Sequence, residues 1–188
     1  YGYYIDNNVL FGHRRLIVVD PLGGGQPMIK NVDGHKYVII YNGELYNTEE
    51  LRTVLTKQGF SFSSYSDTEV LLTSYIYWGI QCLNHLNGIF SFAIWDEDKR
   101  SLLIARDQLG VKPLFYTNKG SSFIFASEIK ALLKNPMVKA VLDKDGLTEL
   151  FALGPATALG SGVLKDIKEV PPAHYIYITE NSFQLKEY

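Results

Sequence analysis

Two runs of this chain are apolar at consecutive positions rather than at alternate ones, and they limit the fold more than any other feature. Gly88 to Trp95 contains Ile89, Phe90, Phe92, Ala93, Ile94 and Trp95; after Asp96-Glu97-Asp98-Lys99, Ser101 to Ala105 repeats the pattern. Strand side chains alternate between two faces, so a strand apolar at nearly every position must be covered on both. Val38-Ile39-Ile40-Tyr41 has the same character. Strand-like segments joined by short turns, with helical patterns in separate blocks, argue for an α+β fold rather than alternating βαβ units. Strands buried on both faces call for two stacked antiparallel sheets with helices outside them.

The remaining segments fit around that centre. Tyr1 to Ile5 is strand-like, and Val9 to Asp20 holds one or two short strands. Pro21 to Pro27 reads as a flexible loop; no Gly-Lys-Ser/Thr follows it, so it is not a phosphate-binding loop. Asn47 can cap a helix with Glu49 and Glu50 in its first turn, Leu51, Val54 and Leu55 at helical spacing, and Gly59 as its stop. Phe60, Phe62 and Tyr65 alternate with serines, as in an edge or hairpin strand. Asp67 heads a second helix that Gly79 ends, and Ile80 to Leu86 forms a further helical turn around Cys82. Arg106 to Tyr116 is a loop returning into a strand, in which Arg106-Asp107 reads either as an ion pair bracing the Gly110–Pro113 turn, the favoured reading, or as catalytic. Ser122 to Ser127 is a strand, Glu128 to Lys134 a short helix, and Asp143 caps a helix running to about Leu153. A Gly/Pro-rich loop spans Gly154 to Gly162, His174 to Thr179 is the final strand, and Phe183 to Tyr188 trails off like a linker.

A chain of 188 residues suffices for one good core. A net charge of −2 suggests neither nucleic acid nor an anionic membrane as partner. No apolar run is long enough to span a bilayer. The single cysteine excludes an intramolecular disulfide and fits a reducing compartment such as the cytoplasm. His13, His35, His85 and His174 are scattered without ligand spacing, so no metal site is expected.

The chemistry-bearing residues stand at element ends. After the Val38–Tyr41 strand come Asn42, Gly43 and Glu44. Asn-Gly between apolar segments is the strongest short hairpin signal. The same residues offer a side-chain amide, a backbone N–H with no Cβ beside it, and an acid, which together can hold an oxyanion next to a substrate cation. Arg14 and Arg15 are adjacent in a strand and should point to opposite faces. An amino-acid zwitterion suits a guanidinium for its carboxylate and acids for its ammonium, which Arg15, Glu44 and Asp67 can supply. Arg15 reads equally as a strand-surface charge, and Asp67 as a helix N-cap.

Six segments occur in a telling order: GHRRLIVVD (Gly12–Asp20), YNGELYN (Tyr41–Asn47), SDTEVLL (Ser66–Leu72), LNGIFSFAIWD (Leu86–Asp96), RDQLGVKPLFY (Arg106–Tyr116) and FASEIKALL (Phe125–Leu133). Together they resemble the glutaminase domain of the glutamine-hydrolysing asparagine synthetases, a branch of the class II glutamine amidotransferases. GSGVLKDIKEVPPAHYIYI (Gly160–Ile178) is similar to the stretch that joins this domain to the synthetase domain.

The resemblance implies an N-terminal nucleophile hydrolase fold, a four-layer αββα sandwich of two antiparallel sheets. It implies L-glutamine as substrate, with Arg15 on its α-carboxylate, Glu44 and Asp67 around its α-amino group, and Asn42 and Gly43 as the oxyanion hole. It implies no cofactor in this domain. ATP and Mg2+ belong to a synthetase domain of the same polypeptide, which amidates aspartate with the released ammonia; a homodimer is the assembly it suggests. The nucleophile it implies is a cysteine ahead of Tyr1, since Cys82 sits in an expected core helix. Residues 1–188 are therefore expected to be an N-terminally incomplete domain, inactive alone, with a linker beginning near residue 180. A class II amidotransferase with another ammonia acceptor, and a non-catalytic glutamine-binding module, are the competing expectations.

Overall fold

The computed structural model describes residues 1–15, 20, 23–154 and 158–188. The chain opens with an antiparallel ribbon of β1 (Gly2–Ile5) and β2 (Leu10–His13). It continues through β3 (Met28–Val32), β4 (His35–Leu45), α1 (Thr48–Lys57), α2 (Asp67–Trp78) and a 3-10 helix, Gly79–His85. The hairpin β5 (Gly88–Asp96) and β6 (Ser101–Arg106) follows, then β7 (Phe115–Lys119), β8 (Ser122–Ala126), α3 (Ile129–Leu132) and α4 (Lys144–Leu153). The chain closes with β9 (Lys168–Glu169), β10 (His174–Thr179) and β11 (Ser182–Glu187).

The central sheet has the order β11-β10-β6-β5-β4-β3 and is antiparallel throughout. One face carries Ile39, Tyr41, Leu45, Phe90, Phe92, Ile94, Leu103 and Ala105. These pack on Leu51 and Leu55 of α1, on Val70, Leu71, Leu72 and Tyr75 of α2, and on Cys82 and Leu83. The other face carries Val38, Ala93, Trp95, Leu102, Ile104 and Ile176, packed on Phe11 of β2, Leu114, Tyr116 of β7 and Val170. Outside that second layer, Ile129 and Leu132 of α3 pack with Phe115, Ile124, Val138 and Ile167. The doubly apolar strands are thus covered on both faces, in the four-layer αββα order expected. The second sheet layer consists of two pieces, the β8-β7-β9 sheet and the β1-β2 ribbon.

Several local expectations change. Asn42-Gly43 is not a hairpin turn: β4 runs through it to Leu45, with Asn42, Gly43 and Glu44 paired to Ser91, Phe90 and Ile89. Glycine is needed there for close approach, since a Cβ would run into the Ile89 carbonyl and lie 2.8 Å from Phe90 Cα. Residues 60–65 form no strand, because the Ser63 and Ser64 N–H groups donate to the Glu69 carboxylate instead of to a neighbouring strand. Residues 182–187, expected to begin a linker, form β11, which pairs along β10, and Tyr188 is tied back by its N–H to the Ala173 carbonyl and by its hydroxyl to the Arg106 carbonyl. Asn47 stands at the α1 N-cap without a capping hydrogen bond. Its amide instead bridges the His85 carbonyl and the Asn87 N–H. The short strands β3 and β9 carry no pattern strong enough to stand out in the sequence. Of the segment read as one or two strands, Leu10–His13 forms β2 and residues 16–19 lie outside the described residues, as do 21–22 and 155–157 of the two expected loops.

Candidate active site

β4 positions most of the site, and strand alternation divides its residues. Ile39, Tyr41 and Leu45 turn to the helices, while Val38 and Ile40 turn to the other layer. Asn42 and Glu44 share the parity of Val38 and Ile40, so their side chains face the space between the two sheet layers. A cavity of about 1150 Å³ lies there, lined at one end by Arg15, Gln26, Asn42, Gly43, Glu44 and Asp67. All five residues singled out in the sequence therefore border one space.

The backbone of β4 at this end is unusual. Phe90 faces Gly43 across the β4–β5 ladder. Its N–H donates to Asp107 Oδ2 at 3.2 Å and its carbonyl accepts from the Asp107 N–H at 2.8 Å, so both groups point away from β4. Gly43 is consequently in a non-hydrogen-bonded pair, and its N–H points to the opposite edge of β4. β3 does not cover that edge here, since its pairing stops at Met28 opposite Ile39. Beyond that point side chains take over. The Tyr41 N–H donates to Gln26 Oε1 at 2.6 Å, and the Leu45 N–H donates to Asp67 Oδ2 at 3.3 Å. The Gly43 N–H lies between these two capped donors, and among the described residues no strand runs alongside to accept from it.

Asp67 is the first residue of α2, but the N-cap is Ser66, whose hydroxyl accepts from the Glu69 N–H. The Asp67 carboxylate is held elsewhere. Oδ2 accepts from the Tyr41 hydroxyl at 2.9 Å as well as from Leu45, and Oδ1 accepts from the Thr68 N–H at 2.9 Å. Burial, and then the Asp67 charge, push the Tyr41 phenol far above its ordinary value, so it remains a donor.

The two adjacent arginines lie just past β2, which ends at His13, rather than in the strand expected; Arg14 is exposed and Arg15 is half-buried. The Arg15 guanidinium donates to the Asp20 carbonyl at 2.9 Å. It lies so close to Gly24 that a Cβ on that residue would be 2.7 Å from Arg15 Cζ. The described residues beneath it are hydrogen-bonded to their surroundings. Asp20 accepts from the Gly23 N–H at 2.8 Å and from the Tyr65 N–H at 2.9 Å, and Gln26 Nε2 reaches Thr68 Oγ1 at 3.4 Å. Nearby, burial and the Arg15 charge hold the pKa of His13 below its usual value.

Gln26 and Tyr41 escaped the sequence reading. A glutamine ahead of a proline, and a tyrosine in an apolar strand, carry no local signal for roles set by contacts with other elements. Cys82 lies on the helical face of the sheet, fully buried, and burial pushes its thiol up to about 12. Among the described residues no group of three or more His, Cys, Asp or Glu could hold a metal ion, and no helix is long and apolar enough to cross a membrane. Arg106 and Asp107 brace the 110–113 turn as expected, but not by pairing with each other. Arg106 binds the Gly110, Lys112 and Val170 carbonyls and Glu169, whereas Asp107 accepts from the Phe90, Leu109, Val111 and Lys112 N–H groups.

The chain is 55% identical over 183 residues to asparagine synthetase (glutamine-hydrolyzing) 3 of Bacillus subtilis, covering 97% of this chain and 30% of that protein. It is 44% identical over 132 residues to asparagine synthetase (glutamine-hydrolyzing) 1 of the same organism, covering 70% of this chain and 21% of the relative. The chain thus spans less than a third of the length of either protein. Its fold is similar to that of glutamine phosphoribosylpyrophosphate amidotransferase from B. subtilis, with a TM-score of 0.59 at 23% identity over 86% of this chain and 31% of the other. The family model described as the glutamine amidotransferase domain matches residues 1–188. That match runs the length of the sequence, and the chain belongs to the glutamine amidotransferase domain family.

Proposed function

We propose that residues 1–188 form the glutamine-hydrolysing half of an asparagine synthetase. L-glutamine binds at the end of the inter-layer cavity and is hydrolysed to glutamate and ammonia. The ammonia then passes to a synthetase domain of the same polypeptide, where ATP and Mg2+ support amidation of aspartate. The observation that carries the reading is the Gly43 N–H, exposed on the edge of β4 between two capped neighbours, with the Asn42 side chain on the adjoining cavity face.

On this reading, Arg15 binds the glutamine α-carboxylate, and Glu44 and Asp67 receive its ammonium. A thiolate attacks the side-chain amide carbon, and the resulting oxyanion accepts hydrogen bonds from the Gly43 N–H and the Asn42 amide. The C–N bond breaks as the nitrogen takes a proton, ammonia leaves, and water hydrolyses the thioester to glutamate. Cys82 is unsuited to the attack because it is buried on the helical side with its thiol held protonated. The thiolate is assigned to a cysteine preceding Tyr1 in the polypeptide.

The test is the Asn42→Ala variant of the full-length polypeptide. Losing one oxyanion donor costs roughly 100- to 1,000-fold in rate. Glutamine-dependent asparagine formation should fall by that factor, while ammonia-dependent formation stays at the wild-type rate. Equal loss of both activities would overturn the assignment.

A further inference from the structure

We propose that Tyr41 is the positioning residue for Asp67, setting the affinity of the site for the ammonium group of its substrate; this rests on the function proposed above. Tyr41 and Asp67 lie 26 residues apart on different elements, and the Tyr41 hydroxyl joins them at 2.9 Å. The tyrosine ring is fixed in the helical core layer and is 4% exposed, so its oxygen has one place to be. Asp67, by contrast, is half-buried and borders the cavity.

A carboxylate has about four acceptor positions. Three donors, Tyr41 Oη, the Leu45 N–H and the Thr68 N–H, occupy Asp67. They leave about one position for a substrate N–H. Two of the three are backbone groups of the elements that Asp67 bridges, and Tyr41 is the one side chain among them. Its removal lets the carboxylate turn away from the cavity without moving β4 or α2. The oxyanion end of the site, at Gly43 and Asn42, belongs to the sheet edge and does not depend on that hydroxyl. Tyr41 therefore acts on binding and not on the chemical step.

Tyr41→Phe keeps the ring and its packing. In the full-length polypeptide, the Kd of L-glutamine by calorimetry and the KM for glutamate release should each rise about tenfold, the worth of a hydrogen bond to a charged group. The kcat should stay within about twofold of wild type. In an Asp67→Asn background, Tyr41→Phe should weaken binding by less than about twofold further, because the group it positions is already altered. Wild-type Kd in Tyr41→Phe, alongside weakened binding in Asp67→Asn, would overturn this role and leave the proposed function standing. Independent, multiplying effects of the two substitutions would also overturn it. Unchanged binding in both variants would overturn the placement of the substrate ammonium together with this inference.

Discussion

Cys82 separates two roles that a lone cysteine in an amidotransferase domain invites. It sits among Leu83, Leu86, Phe90 and Tyr75 in the layer between the central sheet and the helices, with no exposure to solvent. Burial raises its thiol to about 12, so at neutral pH the thiolate fraction is negligible. Cys82→Ala removes only a small apolar group from that core. The full-length polypeptide with this substitution is expected to keep glutaminase activity within about twofold, measured as glutamate release, at a cost in stability of about 1 kcal/mol. The reading of Cys82 as an inert core thiol needed only its apolar neighbours in sequence. The different exposure of Arg14 and Arg15 does not come from strand alternation, because β2 ends at His13 before either of them. The role of Gln26 was not legible locally, because its partner, the Tyr41 N–H, is exposed only where β3 stops.

At the scale of elements, the N-terminal end of α2 organises residues 63–65, where the Tyr65 N–H donates to the Asp20 carboxylate. Glu69, 3% exposed, accepts from the Ser63 and Ser64 N–H groups and pairs with Lys30 at 2.8 Å. Burial alone would raise its pKa, but the Lys30 ammonium and the serine donors outweigh it and bring the carboxyl down to about 2. A carboxyl with a depressed folded-state pKa contributes stability above its unfolded value and loses it on protonation. The contribution should be complete above about pH 4.5 and disappear as the pH falls towards 2, amounting to on the order of 3 kcal/mol. Urea denaturation of wild type and Glu69→Gln should show a stability gap at pH 7 that narrows steadily below pH 4.5. Residues 60–65 had suggested a strand because aromatic residues alternate with serines there. The alternation is real, but the donors a strand would need are taken by Glu69.

Across the whole molecule, Arg106 fastens the central sheet to the second layer. It ends β6, and its guanidinium reaches the Gly110 carbonyl at 2.8 Å, the Lys112 carbonyl at 2.8 Å, the Val170 carbonyl at 2.6 Å and Glu169 at 2.9 Å, the last in β9 of the other sheet. Arg106 is 6% exposed, so its removal leaves a carboxylate and three carbonyls without their donor in a largely dry setting. Arg106→Leu should cost about 3–5 kcal/mol. For a domain of this size that lowers Tm by roughly 10 °C, as calorimetry can measure. Arg106→Lys should recover only part of the loss, since an ammonium cannot serve such spread acceptors at once.

The amino-acid pattern alone dictated the layered α+β fold, because strands apolar on both faces have no stable arrangement except between two coverings. It also marked Arg15, Asn42, Gly43, Glu44 and Asp67, since residue type and motif order are local properties of the chain. The state of the Asn42-Gly43 segment was decided by tertiary structure. The same dipeptide suits a turn or a closely approached strand, and β5 arriving over Gly43 selected the strand. The availability of the Gly43 N–H was decided at that level too. It depends on Asp107 drawing off the backbone of Phe90, on β3 ending at Met28, and on Gln26 and Asp67 capping the neighbouring donors. These are three contacts and one strand end, all set between segments separated in sequence, which no local pattern can encode.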